Sequence, residues 1–201
     1  QKTVLSLASG RSMRDLFAEL VRLHKEEGLS FKNVVVFGSY EFYPLSDTTS
    51  GSMAQIQSQL LEHVDILPEN VHTFPGDLPK EDVFAFCEEY EKAIVEAGGI
   101  DVQVLGIGQC GNIAMNEPGT QPNSSTRLVI MDGNSRVDVK SLFGNVAQVP
   151  TCAITLGVET ILQAKEVILL AFGQHKAGIV KQAIEEVANA ACPASYLQLH
   201  K

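Results

Sequence analysis

The sequence predicts an α/β fold in three layers, with a mostly parallel central sheet flanked by helices on both faces. Three observations predict it. Short apolar runs alternate with longer segments of helical period, the pattern of repeated βαβ units whose strands are buried on both faces. Glycines stop the helical segments, at Gly28 and at Gly98-Gly99. The chain has 201 residues, 45% apolar and 19% charged, so it can bury a core without disulfides or a structural metal and is too apolar for a disordered chain.

The elements follow in order. Residues 4–8 read as a strand, and residues 13–27 as an amphipathic helix with Leu16, Phe17, Leu20 and Leu23 opposite Arg14, Glu19, Arg22 and Glu26. Residues 34–37, a β-branched run closed by Phe37, give the next strand. Helices are expected over 55–64 and 80–97, then strands over 102–107, 128–131 and 167–172, with helices over 160–163 and 176–189 completing a Rossmann-like set. No repeat or low-complexity linker interrupts them, so residues 1–201 are read as a single domain.

Charge narrows the partners. With 15 Lys+Arg against 24 Asp+Glu the formal charge is −9, which argues against a general nucleic-acid binder or an anionic-membrane binder. The apolar runs are far shorter than the roughly 20 residues of a membrane span, and residues 1–10 lack the apolar stretch of a signal peptide. Cys87, Cys110, Cys152 and Cys192 are too widely spaced for a metal knuckle or a redox pair, so they are read as reduced thiols of a cytoplasmic protein rather than a disulfide framework, and no metal site is expected.

In open α/β sheets ligands sit outside the carboxyl ends of the strands. The informative loops are therefore 9–12, 38–45, 108–119, 132–136 and 173–176. Gly106-Ile107-Gly108-Gln109-Cys110-Gly111 matches the dinucleotide fingerprint, with Asp132 about 20 residues further on. That motif needs its third glycine to open a helix, and Pro118 and Pro122 leave room for only a turn or two, so dinucleotide binding is rejected.

Ser9, Gly10, Arg11 and Ser12 form a small polar turn between a strand and a helix, where backbone N–H groups and the positive helix end suit a phosphate monoester. The alternative is a plain turn with Ser12 as helix N-cap. Arg136, in Asn134-Ser135-Arg136, and Lys176, in Gly173-Gln174-His175-Lys176, put cations near two other strand ends. Alone each reads as a solvated charge; together with the turn they outline a sugar-phosphate site.

Gly106-Ile107-Gly108-x-x-Gly111-x-Ile113-Ala114-x-Asn116-Glu117-Pro118-Gly119 resembles the signature of the glucosamine-6-phosphate deaminase (isomerase) family. The likeness continues through Ser30-Phe31-Lys32-Asn33-Val34-Val35, Glu89-Tyr90-Glu91, Gly98-Gly99-Ile100-Asp101, Asn134-Ser135-Arg136, Val149-Pro150-Thr151, Ala153-Ile154-Thr155-Leu156-Gly157-Val158 and Leu197-Gln198-Leu199-His200. It lacks the family's first helix and C-terminal tail, so the expectation is the core of a longer or fused polypeptide; a homo-oligomer is left open. A sugar-phosphate lactonase and some bacterial sugar-sensing domains share the general fold, and Asn116-Glu117-Pro118-Gly119 favours the deaminase branch.

The resemblance implies an enzyme of amino-sugar metabolism, classed with isomerases and hydrolases, that needs no metal or organic cofactor. Such enzymes open the ring of a 6-phosphorylated amino sugar, move a proton from C2 to C1 with a carboxylate base, and release ammonia to leave fructose 6-phosphate. It also implies phosphate contacts from the Ser9 to Ser12 turn, Arg136 and Lys176, and an allosteric phosphate position at Arg127, which reads equally as a surface cation. At the catalytic positions the chain departs from the family. Tyr40 stands at the family's proton-abstracting Asp, followed by a retained Glu41, and Cys110-Gly111-Asn112 replaces Asp-Gly-His, leaving Glu117 alone of the carboxylate–histidine set.

A phenol with an ordinary pKa near 10 is a poor base at neutral pH, and asparagine cannot shuttle a proton. Each lost acid–base group costs about 10² to 10⁴ in rate. Glu117 and Glu41 are the remaining catalytic candidates; Ser9, Gly10, Arg11, Ser12, Tyr40, Gly108, Cys110, Asn112, Arg136 and Lys176 are the substrate-binding ones. Two functions stay open: a deaminase/isomerase with altered catalytic residues, and a non-catalytic module that keeps only the sugar-phosphate cradle.

Overall fold

The computed structural model of the chain describes residues 2–201. In chain order the strands are β1 (Thr3–Leu7), β2 (Val34–Gly38), β3 (Tyr40–Tyr43), β4 (Val71–His72), β5 (Val102–Gly106), β6 (Arg127–Ile130), β7 (Cys152–Thr155) and β8 (Glu166–Leu170). The helices are α1 (Arg14–Glu27), α2 (Ser52–Gln59), α3 (Val83–Glu96), α4 (Gly133–Val139), α5 (Val158–Leu162) and α6 (Ala177–Glu185). Five strands form a parallel sheet in the order β4-β2-β1-β5-β8, and three form an antiparallel sheet in the order β3-β7-β6.

Strand alternation sets the two core faces. Leu7, Val36 and Val104 face one side with Phe17 of α1 and Ile56 of α2; Val4, Val35, Phe37 and Leu105 face the other with Cys87, Tyr90 and Ile94 of α3 and Ala183 of α6. Leu7 lies beside Gly38 of β2 and Val104 of β5, so the first loop of the chain emerges between two others. Since β1 connects outward to β2 but has β5 as its other neighbour, the β1–β5 gap is the topological switch point where such sheets hold ligands.

All five expected strands are present, each within about two residues of its predicted ends. Three further strands were not foreseen. In β3 all four residues are buried, including Glu41, so the period-two contrast that marks a half-exposed strand is absent. The loop expected over 132–136 is instead the start of a helix over 133–139, with Asp132 as N-cap accepting the Asn134 N–H at 2.8 Å. No helix follows Gly111; a short bridge joins Ile113 to Asn116 instead.

Ser39 hands the chain from one sheet to the other. Its N–H donates to Leu7 O at 2.9 Å, and its carbonyl accepts from Leu156 N–H at 2.9 Å. At the end of β7, Thr155 Oγ1 accepts the Met115 N–H at 3.1 Å and, one residue on, Leu156 O accepts from Asn116 Nδ2 at 2.9 Å, pinning the loop after β5 against the second sheet.

Gly157 gives a sharp test of this packing, because a Cβ there would lie 1.9 Å from the Ser124 carbonyl oxygen. Gly157→Ala is expected to cost on the order of 3 kcal/mol, the upper range of an overpacking defect, in urea unfolding monitored by circular dichroism. A variant as stable as the parent would contradict the packing of residues 124–125 on α5.

Candidate functional site

Beyond β1 the backbone stays on the rim, with Ala8 N–H donating to Val104 O at 3.3 Å. Gly10 then takes φ 118° and ψ 176°, a conformation that L side chains rarely adopt. This bend starts a 3-10 turn, Arg11–Met13, that runs straight into α1. The first N–H groups of such a helix have no intrahelical acceptor, so those at Arg11 and Ser12 carry the positive helix end toward the rim. Neither helix start has a side-chain cap bond, which removes the alternative of Ser12 as N-cap.

A cavity of about 360 Å³ opens there, at the carboxyl ends of β1, β5 and β8. Its size falls in the range of about 300–1,000 Å³ typical of small-ligand sites. Ser9, Gly10, Arg11 and Ser12 line one end, Tyr40 enters from β3, Gly108 and Asn112 from the loop after β5, and Lys176 from the loop after β8. The Asn112 amide folds so tightly onto Gly108 that a Cβ at 108 would sit 1.8 Å from its oxygen. Lys176 Nζ donates to Ile107 O at 2.8 Å, which aims the ammonium at the end of β5. Burial lowers its pKa, Asp138 and Cys110 oppose the shift, and Arg11 adds to it.

Four of the expected site residues lie off this cavity. Glu41 alternates to the face of β3 opposite Tyr40 and accepts three backbone N–H groups: Ser52 at 2.7 Å, Phe42 at 2.8 Å and Met53 at 2.9 Å. It anchors the N-terminus of α2, and Gly51 leaves room for it, since a Cβ there would lie 2.7 Å from the carboxylate. Burial raises its pKa despite the three donors. The expectation of a catalytic carboxylate is corrected by this placement: Glu41 does not line the cavity and is bonded at the start of α2.

Glu117 sits behind the cavity wall. Its oxygens accept Ser135 Oγ at 2.9 Å and the Asp132 N–H at 3.2 Å, and Ser135 is the residue that faces the cavity. Burial raises its pKa against those two donors. Cys110 is half-buried in the turn closed by Gly111 N–H to Gly108 O at 3.1 Å and does not line the cavity. Arg136 points away from it: its guanidinium donates to Val149 O at 2.9 Å and Val146 O at 3.0 Å. The reason is helical geometry, since residues next to each other on a helix point about 100° apart and Ser135 takes the cavity side.

The same geometry identifies residues that the sequence reading missed. Ser135, Asp138, Val139 and Leu142 recur at i, i+3, i+4 and i+7 and form one wall. An Asp N-cap at 132 followed by this spacing was the available signal. Asp138 Oδ1 accepts from Gln109 Nε2 at 3.0 Å, joining that wall to the loop after β5. Asp15 of α1, Gln55 of α2, Gln109, Ser141 and His175 complete the polar lining. Among the described residues no cluster of His, Cys, Asp and Glu has the makings of a metal site.

A family model described as glucosamine-6-phosphate isomerases/6-phosphogluconolactonase matches residues 1–201. The chain belongs to this family. It is 47% identical over 198 residues to a glucosamine-6-phosphate deaminase-like protein of Bacteroides thetaiotaomicron, covering 98% of this chain but 30% of that relative. It is 40% identical to a glucosamine-6-phosphate deaminase of Shewanella loihica, covering 99% of this chain and 74% of the relative. A monomeric glucosamine-6-phosphate deaminase superposes with TM-score 0.95 at 34% identity over 100% of this chain and 83% of that one.

A 6-phosphogluconolactonase from Thermotoga maritima superposes with TM-score 0.74 at 22% identity, a likeness of fold alone. The hydrolase class expected beside the deaminase/isomerase one is therefore corrected: the more similar relatives are deaminases, and the hydrolases of this fold are the distant ones.

The anchoring role of Glu41 is open to a direct check. Glu41→Ala leaves three buried N–H groups unpaired and is expected to cost about 2–3 kcal/mol, the range for hydrogen bonds to a charged group, with Glu41→Gln in between because it keeps one acceptor oxygen. Denaturant midpoints measure both. Equal stability of the parent and Glu41→Ala would remove the anchor.

Proposed function

We propose that this family member binds a 6-phosphorylated hexose of the amino-sugar series, with the phosphate in the Ser9 to Ser12 turn between Arg11 and Lys176, and that its deamination is slow. The convergence of a helix start and two cations on one cavity at the switch point of the sheet supports this reading. A phosphate dianion gains charge-assisted hydrogen bonds there that a neutral sugar would not. The sugar then extends toward Tyr40 and Asn112.

Slow turnover is inferred from the residues at and beside the family's catalytic positions; Asp15, Asp138 and His175 also line the cavity and are the groups that would have to replace them. Tyr40 is neutral, with its phenol pushed further up by burial. Asn112 carries no titratable group, and both retained glutamates are committed to helix starts. Proton transfer between adjacent sugar carbons needs a base within hydrogen-bond reach, and neither family glutamate lines the cavity. The reading includes a cytoplasmic location, in keeping with four free cysteines; among the described residues no helix is long and apolar enough to cross a membrane. Nucleic acid and membrane surfaces have no part in it, given the charge of −9.

Calorimetric titration with glucosamine 6-phosphate and fructose 6-phosphate tests binding. Lys176→Ala and Arg11→Ala are each expected to weaken affinity about 10- to 100-fold, the scale of a charge-assisted hydrogen bond. Because the protonated ammonium is the binding form and its pKa lies below the ordinary 10.5, affinity is expected to fall as pH rises before that value is reached. Lys176→Arg should move the fall to higher pH. Absence of binding by the parent chain would overturn the assignment.

Coupled detection of ammonia and fructose 6-phosphate tests the chemistry. Turnover is expected at least about 10²-fold below that of the Shewanella loihica deaminase, rising when Tyr40→Asp, Cys110→Asp and Asn112→His are combined. Turnover equal to that relative would show that another group supplies the base.

A further inference from the structure

Tyr40 stands where the family places a base, and its phenol makes a hydrogen bond that gives it a different task. Its Oη lies 2.8 Å from Ser9 Oγ, and the two residues are only 7% and 9% exposed. The ring is held edge-on against Phe42, with centroids 5.7 Å apart at 79°, and the backbone on either side is fixed by Ser39 and Glu41. The phenol is therefore a rigid partner for a serine in the turn assigned to phosphate.

Direction matters in this pair. A phosphate dianion offers only acceptors, so a serine hydroxyl that binds it must spend its single proton on the phosphate. The Ser9 oxygen can then only accept, and a tyrosine at 2.8 Å is a suitable donor. Hydrogen bonds in such a chain polarise one another, the phenol strengthening the serine as a donor. Burial keeps the phenol protonated, hence able to donate, over the whole working pH range. A carboxylate at position 40 would reverse the arrangement, drawing the Ser9 proton toward itself and adding negative charge beside the phosphate.

We propose that Tyr40 is a positioning residue that turns Ser9 into a preoriented, polarised donor to the phosphate of the bound sugar. This rests on the sugar-phosphate reading above and adds a residue to it. The side chain that replaces the family's base thus serves phosphate binding in place of proton transfer.

Titration of the whole chain with inorganic phosphate and, separately, with glucosamine 6-phosphate tests it. Tyr40→Phe is expected to weaken both about three- to tenfold, the size of one neutral hydrogen bond, because the effect passes through the phosphate. In a Ser9→Ala background Tyr40→Phe should change neither. A role confined to packing or to sugar contact gives a different pattern: phosphate affinity untouched by Tyr40→Phe, or the same loss with and without Ser9. Either result overturns the inference while leaving the binding assignment intact.

A second readout uses the parent tyrosine. With ¹³C-labelled tyrosine, phosphate is expected to shift the Tyr40 ring resonances of the parent chain and not those of Ser9→Ala. A shift that survives Ser9→Ala refutes the relay. Failure of the parent chain to bind either ligand overturns both the binding assignment and the relay.

Discussion

The backbone of Ser39 serves two sheets at once, its N–H bonded to the end of β1 and its carbonyl to the residue after β7. Everything on the cavity side depends on that double commitment. It fixes the residue at which the chain leaves the parallel sheet, and hence which residue of β3 faces which way. Strand geometry does the rest: with the chain locked at 39, Tyr40 turns into the cavity and Glu41 turns back toward α2. A slip of one residue would exchange them, burying a phenol at a helix start and exposing a carboxylate to the phosphate turn.

The distribution of charge fits a single small anion. Arg22 is surrounded by Glu19, Glu26 and Glu27, and Lys165 is paired with Asp101, ion pairs of little net value at an exposed surface. Arg127 is spent on Asn116 and Thr120, and Arg136 on two carbonyls. Arg11 and Lys176 differ: both line the cavity, and neither is in an ion pair among the described residues. In a chain of formal charge −9, these two cations beside a helix start share the cavity with Asp15 and Asp138, so the proposed phosphate position is confined to the Ser9 to Ser12 end and does not extend over a wide basic surface.

Much of this was legible in the sequence, for identifiable reasons. Four of the five parallel strands, β1, β2, β5 and β8, announce themselves because each is a mostly apolar run, whereas β4 is only two residues long; the turn proposed for phosphate is marked by Gly10 and two serines between a strand and a helix. Residue-by-residue resemblance brought Tyr40, Asn112 and Lys176 together, and the cavity contains all three. What failed is directional. Glu41 and Arg136 are of the right chemical type at nearly the right place, yet each is one residue out of phase with the cavity, Glu41 by strand alternation and Arg136 by helical rotation. Phase can be read only once the element is known, and β3 and α4 were the two elements around the site that local pattern did not reveal.

The two glutamates are bound in the same way, and this links the slow turnover proposed above to the shape of the cavity. Glu41 meets the first N–H groups of α2, which carries Gln55; Glu117 meets the Asp132 N–H and the Ser135 hydroxyl at the start of α4, which carries Asp138. Helix-start donors and the positive helix end offset part of the desolvation of a buried carboxylate in such a place, although burial still raises both pKa values. The donors that stabilise the anion also occupy the lone pairs a base would use. To free either carboxylate for proton transfer would therefore leave a helix start unpaired and loosen one wall, α2 or α4, of the cavity in which the substrate must be held. With Tyr40 bonded to Ser9 in the same fashion, the hydrogen bonds that organise the cavity walls are, on the proposed reading, those that hold Tyr40, Glu41 and Glu117 out of proton transfer.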